Sequence, residues 1–181
     1  MKKILVPLAE GAEEMEATII VDVLRRAKWS VTLAGLQPGL VVCSRGVRIQ
    51  PDTEWDLCEP LGYDGIVLPG GLGGAQRLAA DERVLEAVRV YARANKLVAA
   101  ICAGPRVLVA AGVLEGRRAT LYPGLEVAGA GVEWLDETVV IDGTIVTSRG
   151  PGTAMAFALA LIALAEGTET AEEIRKGLLL P

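Results

Sequence analysis

One cysteine closes an apolar run and opens a helix-like stretch in KLVAAICAGPRVL, residues 96–108. A thiol at such a strand-to-helix corner is presented above a sheet, in the manner of a nucleophile elbow. Backbone N–H groups at the corner are expected to lower the Cys102 pKa and so raise its reactivity. The usual proton partner of a catalytic thiol is an imidazole, yet the chain contains no histidine. Cys–His proteolysis and amidotransfer are therefore excluded by composition alone. Another acid has to move the proton.

Glu16 has the right place for that task. The stretch EGAEEMEATIIVDVLRRA, residues 10–27, carries an apolar stripe at Ile20, Val23, Leu24 and Ala27. Four residues before Ile20 is Glu16, so helical periodicity turns its carboxyl inward. Burial raises a carboxyl pKa. A protonated Glu16 can donate a hydrogen bond to a thiolate, then give and take a proton during turnover. Glu14 falls on a different face and is expected to be solvated. The strand-like GIVLPGG, residues 65–71, ends in glycines that match neither phosphate-binding fingerprint. Gly70 and Gly71 can instead bring N–H groups close to a reacting oxygen, or simply make a tight turn. Cys43 and Cys58 read as ordinary buried thiols.

The elements that must hold these residues alternate along the chain. Strands are expected at 3–8, 30–36, 65–71 and 97–101, a short strand pair at 41–49, and a hairpin at 138–148 turning at Asp142–Gly143. Helices are expected at 13–27, 81–94, 105–111, 152–166 and 171–176. Continuous apolar strands imply a sheet covered on both faces, and strand–helix alternation implies parallel crossovers. The expectation is one α/β domain over 1–181, a flavodoxin-like, doubly wound, mainly parallel sheet sandwiched by helices. Its site should lie at the carboxyl ends of the strands.

Composition narrows the function. Of 181 residues, 51% are hydrophobic, enough for a large core, and the net charge of −5 disfavours a nucleic-acid or anionic-membrane surface. The longest apolar stretch, residues 154–165, is too short to span a bilayer. Three cysteines without a CxxC pair or a histidine argue against structural zinc and for free thiols in a reducing cytoplasm. No metal and no cofactor is expected.

Five stretches in order also carry a resemblance: residues 10–27, CSRGV (43–47), YDGIVLPGG (63–71), AAICAGP (99–105) and TSRGPGTAMAFALAL (147–161). The chain resembles the DJ-1/PfpI superfamily, and within it the DJ-1/YajL/ThiJ branch. The resemblance implies a homodimer, a nucleophilic and oxidisable Cys102, and a partner acid at Glu16. It implies oxyanion-type N–H groups from Gly70, Gly71 and Ala103. It also places Arg45, Arg149 and Pro151 near the pocket or the dimer interface. Many relatives carry a histidine where TLYPG (120–124) has Tyr122, which leaves the Tyr122 hydroxyl as the substitute donor.

Two functions follow from the same residues. In one, Cys102 attacks a small reactive aldehyde, with glyoxalase III-type conversion of methylglyoxal to lactate or deglycation of glycated protein or nucleotide. In the other, Cys102 is an oxidative-stress sensor or serves a chaperone-like protein through its own oxidation.

Overall fold

The computed structural model describes residues 1–128 and 130–181. In chain order the elements are β1 (Lys3–Leu8), α1 (Glu14–Arg26), β2 (Ser30–Gly35), β3 (Val41–Val42), β4 (Arg48–Ile49), β5 (Thr53–Glu54) and β6 (Gly65–Leu68). Then come α2 (Leu72–Ala79), α3 (Glu82–Arg93), β7 (Leu97–Ile101), α4 (Pro105–Ala110), β8 (Arg118–Ala119) and β9 (Glu133–Trp134). The chain closes with β10 (Val139–Asp142), β11 (Ile145–Ser148), α5 (Ala154–Glu166) and α6 (Thr168–Gly177).

Seven strands form one sheet in the order β10-β11-β7-β6-β1-β2-β5. All neighbours run parallel except the edge strand β10, which pairs antiparallel with β11. Ile4, Leu5, Val6 and Leu8 of β1 have no accessible surface although alternate side chains point to opposite faces. Both faces must therefore be covered. α1, α5 and α6 pack together in one layer, and α2, α3 and α4 in the other. α5 is apolar nearly all round because it sits between α1, α6 and the sheet, with Phe157 and Leu161 fully buried.

From β1 the chain first builds outward through β2 and β5, then returns to β6 and builds the other way. The switch point lies between β1 and β6, and a doubly wound sheet opens a crevice beyond the strand ends there. The start of α1 and the loops after β6 and β7 carry Glu16, Gly70–Gly71 and Cys102 to that crevice.

Some elements differ from the sequence expectation. α2 is a helix that the sequence expectation does not include. Its glycines are there for contact: a Cβ on Gly74 would lie 2.7 Å from Ala12 Cα. The β10–β11 loop is Gly143–Thr144, since Asp142 already pairs with Ile145. α5 starts at Ala154, after a 3₁₀ turn over Pro151–Thr153, and α6 is longer than expected. β8 and β9 make a small separate parallel pair. Among the described residues no helix is long and apolar enough to cross a membrane.

Candidate active site

β7 ends at Ile101, and the next residue reverses the chain. Cys102 has φ 62°, the left-handed region that costs a side-chain-bearing residue about 1–2 kcal/mol. Lys28, Asn95 and Leu179 share a positive φ, but each follows a helix C-cap, where that conformation terminates the helix. Cys102 instead caps a strand. Two hydrogen bonds hold it there. Its N–H donates to Ser148 O at 3.0 Å, and its carbonyl accepts from Tyr122 N–H at 2.9 Å. Backbone strain maintained from both sides singles Cys102 out as a candidate site residue.

Glu16 comes from the first turn of α1 and is wholly buried, as periodicity predicts. Its Oε2 accepts the Gly70 N–H at 2.7 Å. The other side of that peptide segment is tied too, for Gly70 O accepts from Glu13 N–H at 3.0 Å. Glu13 also caps α1, its Oε2 accepting from Glu16 N–H at 2.7 Å. Gly70 thus lies between the two acids. A Cβ there would come 2.5 Å from Cys102 Cβ and 2.7 Å from Glu16 Oε2. The Oε1 of Glu16 is buried without a hydrogen-bond partner among the described residues. A buried, unsatisfied oxygen is costly as an anion and far less so as a protonated group.

Titration follows from this packing. Burial pushes the Glu16 pKa up to about 7, against the pull of the Gly70 N–H and of Cys102. Burial also pushes the Cys102 thiol up to about 12, helped by the Glu16 charge, although the N–H groups of Gly71 and Ala103 pull it down. The expected lowering of the thiol pKa is thus corrected: desolvation and the neighbouring carboxylate outweigh the N–H groups. Sulfur and carboxyl each shift the other's pKa and so titrate as a coupled pair. Gly71 and Ala103 favour the charge on sulfur, and Gly70 favours it on Oε2. Cys102 keeps 8% of its surface accessible and Glu16 none.

The role expected of Gly70 changes as well. Its N–H is engaged by Glu16, which leaves Gly71 and Ala103 as the donors that face Sγ. Among the described residues no group of three or more His, Cys, Asp or Glu side chains is arranged to hold a metal ion.

The family model for "DJ-1/PfpI family" matches residues 2–164. The chain belongs to the DJ-1/PfpI family. It is 37% identical over 178 residues to "Glutathione-independent glyoxalase DJR-1.2" of Caenorhabditis elegans, covering 98% of this chain and 95% of that one. It is 42% identical over 180 residues to "Protein DJ-1 homolog B" of Arabidopsis thaliana, covering 98% of this chain but only 41% of the plant protein's length. The crystal structure of Drosophila melanogaster DJ-1beta superposes with a TM-score of 0.93 at 45% identity, over 99% of this chain and 98% of that one.

Within this DJ-1/PfpI chain the other expected residues divide into two groups. Tyr122 is near the elbow through its backbone, its ring is 49% exposed, and it lies over Gly150, where a Cβ would be 3.2 Å from Cδ2. Arg149 pairs with Asp136 beside Leu121 and Pro123, and Pro151 is half-buried in the turn before α5. Arg45 is exposed on the β3–β4 turn, and its backbone N–H donates to Glu14 Oε1 at 2.9 Å. No hydrogen bond joins Arg45, Arg149 or Pro151 to Cys102 among the described residues.

Glu14 was expected in solvent and is 7% exposed. It also accepts Ser44 Oγ–H at 2.8 Å. Burial resists its ionisation, but these donors prevail and hold its pKa below the ordinary carboxylate value. Periodicity could not reveal this, because the partners come from a hairpin thirty residues away in the chain.

Proposed function

We propose that this chain is a cofactor-independent cysteine enzyme acting on small reactive dicarbonyls. Conversion of methylglyoxal to lactate is its simplest reaction, and deglycation of protein or nucleotide adducts is an extension of the same chemistry. The observation that carries the proposal is a strained elbow cysteine packed against a buried carboxyl that titrates near neutrality. The name of the worm relative supports the same class of reaction.

The steps balance without an external oxidant. Cys102 passes its proton to the Glu16 carboxylate and adds as thiolate to the aldehyde carbon, and the carbonyl oxygen takes that proton from Glu16, giving a hemithioacetal. The N–H groups of Gly71 and Ala103 stabilise the oxyanion as it develops. Glu16, now a carboxylate, removes the C–H proton from that carbon, and an enediol forms. Return of the proton to the neighbouring carbon gives a 2-hydroxyacyl thioester. Water releases lactate and restores the thiol. Carbon is oxidised at one position and reduced at the next, so no redox partner is needed.

The test is lactate formation from methylglyoxal by purified wild type, Cys102→Ala and Glu16→Gln. Activity in the wild type that disappears in both variants supports the proposal. No lactate from a wild type whose Cys102 still alkylates overturns it.

A second reading has one specific observation in its favour. Cys43 and Cys58 each donate to a backbone carbonyl, of Val41 and Glu54, whereas Cys102 alone faces N–H donors and a protonatable acid. That setting suits an oxidative-stress sensor: peroxide takes the thiolate to sulfenate with release of water, and a second peroxide takes it to sulfinate. Chaperone-like action would then follow oxidation. Peroxide-dependent mass gain confined to Cys102, without turnover, would select this alternative.

The homodimer is part of the same proposal. Met15, Val42 and Val47 are exposed around the Glu14–Ser44 contact, an apolar face that a second copy would cover and that lies beside Arg45. Val47→Glu is expected to yield a monomer by light scattering. Three free thiols suit a reducing, cytoplasmic setting.

A further inference from the structure

A cavity of about 410 Å³ lies between α2 and α4, lined by Leu72, Ala75, Gln76, Arg106, Val109 and others. Two of these residues tie it to the nucleophile. Leu72 directly follows Gly71, whose N–H faces Sγ. Arg106 stands one turn beyond the elbow, its N–H donating to Ala103 O at 3.1 Å. The cavity wall therefore begins one residue after Gly71 and three residues after Ala103.

Arg106 is the unusual member. This acidic chain pairs its arginines thoroughly: Arg25, Arg26, Arg77, Arg83, Arg89, Arg93, Arg117, Arg118, Arg149 and Arg175 each have a carboxylate within 4.0 Å. Arg45 and Arg48 are exposed on the hairpin. Arg106 is half-buried in the cavity, and among the described residues it has neither an ion pair nor a side-chain hydrogen bond. An arginine that lines a cavity without a carboxylate of its own leaves its N–H donors available to an anionic ligand. Small alanine walls leave room for that ligand, and the Gln76 amide offers a second polar contact.

We propose that this cavity extends the substrate site and that Arg106 determines specificity, by holding an anionic oxygen group at the far end of an α-oxoaldehyde. The proposal rests on the dicarbonyl reading above and sharpens it. The substrate class is a dicarbonyl with a carboxylate or phosphate two or three bonds beyond the keto carbon, rather than methylglyoxal itself. The aldehyde meets Cys102, and the anion meets the guanidinium through paired N–H donors.

The experiment compares kcat/KM for methylglyoxal, 4,5-dioxovalerate and hydroxypyruvaldehyde phosphate in wild type, Arg106→Gln and Arg106→Lys. The wild type is expected to prefer an anionic substrate over methylglyoxal. Arg106→Gln should lower that preference about tenfold to a hundredfold, mainly through KM, and Arg106→Lys should restore part of it. The carboxylate and phosphate substrates show which anion the cavity takes. A wild type that turns over dicarbonyls without the preference, or one whose preference survives in Arg106→Gln, overturns the proposal. Binding of unreactive 4-oxovalerate to Cys102→Ala, followed by NMR, separates it from the catalytic reading. Binding that needs Arg106 in a protein whose wild type turns over no dicarbonyl supports the anion site and removes the glyoxalase. Turnover of methylglyoxal without Arg106-dependent binding does the reverse.

Discussion

Gly70 donates its N–H to Glu16 Oε2 over 2.7 Å while its Cα lies against the Cys102 side chain. One peptide thus sets the spacing of the Cys102 thiol and the Glu16 carboxyl. Gly70→Ala would force a Cβ to within 2.5 Å of Cys102 Cβ and 2.8 Å of Ile101 O, and neither neighbour is the free end of a flexible chain. The expected cost is about 1–3 kcal/mol of stability. Displacement of the pair by about 1 Å should lower kcat/KM by about 100-fold. Thermal melting and lactate production from the same preparation check both. An active, fully stable Gly70→Ala protein would show that the contact does not set the spacing.

The Glu16 pKa predicts a pH dependence of definite sign. The unfolded carboxyl titrates at about 4.3, and the folded one is pushed up to about 7. Below the lower value both states hold the proton, and the stability linked to Glu16 is fully present. Between the two, unfolding releases the proton, so stability falls as pH rises and levels off above about 7. The full span is about 4 kcal/mol. Glu16→Gln should melt with little change between pH 5 and pH 8, where the wild type loses stability. Alkylation of Cys102 should show an inflection near 7 in the wild type, and that inflection should move upward in Glu16→Gln. Superimposable profiles for the two proteins would remove Glu16 as the proton store.

Glu14 predicts the opposite sign. Its pKa is held below the ordinary value, so its contribution is present above that value and lost as pH falls through the folded pKa. Glu14→Ala leaves Ser44 Oγ and the Arg45 N–H without their acceptor. The expected loss at pH 7 is about 1–2 kcal/mol, with a smaller gap from wild type at pH 3. Urea denaturation at the two pH values measures it. An equal gap at both would mean that the carboxylate charge is not what braces the hairpin.

What could be read from the chain divides along the range of the interactions. Continuous apolar runs marked β1, β6 and β7 because their burial on both faces is written locally, and the stripe through Ile20 and Leu24 oriented Glu16. α2 was missed because Gly73 and Gly74 weaken helix propensity, and only the backbone of residues 11–12 pressing on them explains their presence. The thiol pKa had the wrong direction because local N–H groups are visible in sequence and desolvation is not. Gly70 and Glu14 likewise took their partners from distant segments, and Arg106 stands out only by the carboxylates it lacks.

Tyr122 separates positioning from chemistry. Its backbone N–H holds the Cys102 carbonyl, a bond any side chain at 122 except proline would keep. Its ring rests over Gly150 because that residue has no Cβ. Tyr122→Phe keeps both relations and removes only the hydroxyl. If the hydroxyl donates to the substrate oxygen in place of an imidazole, kcat should fall about tenfold with the melting temperature unchanged. Gly150→Ala should instead push the ring aside by the few tenths of an ångström that a 3.2 Å contact requires, and alter KM while the hydroxyl remains. Measured together on methylglyoxal, the pair distinguishes a proton donor from a wall of the pocket. A full-rate Tyr122→Phe beside an impaired Gly150→Ala assigns the ring to shape alone and leaves Glu16 as the one proton carrier at the sulfur.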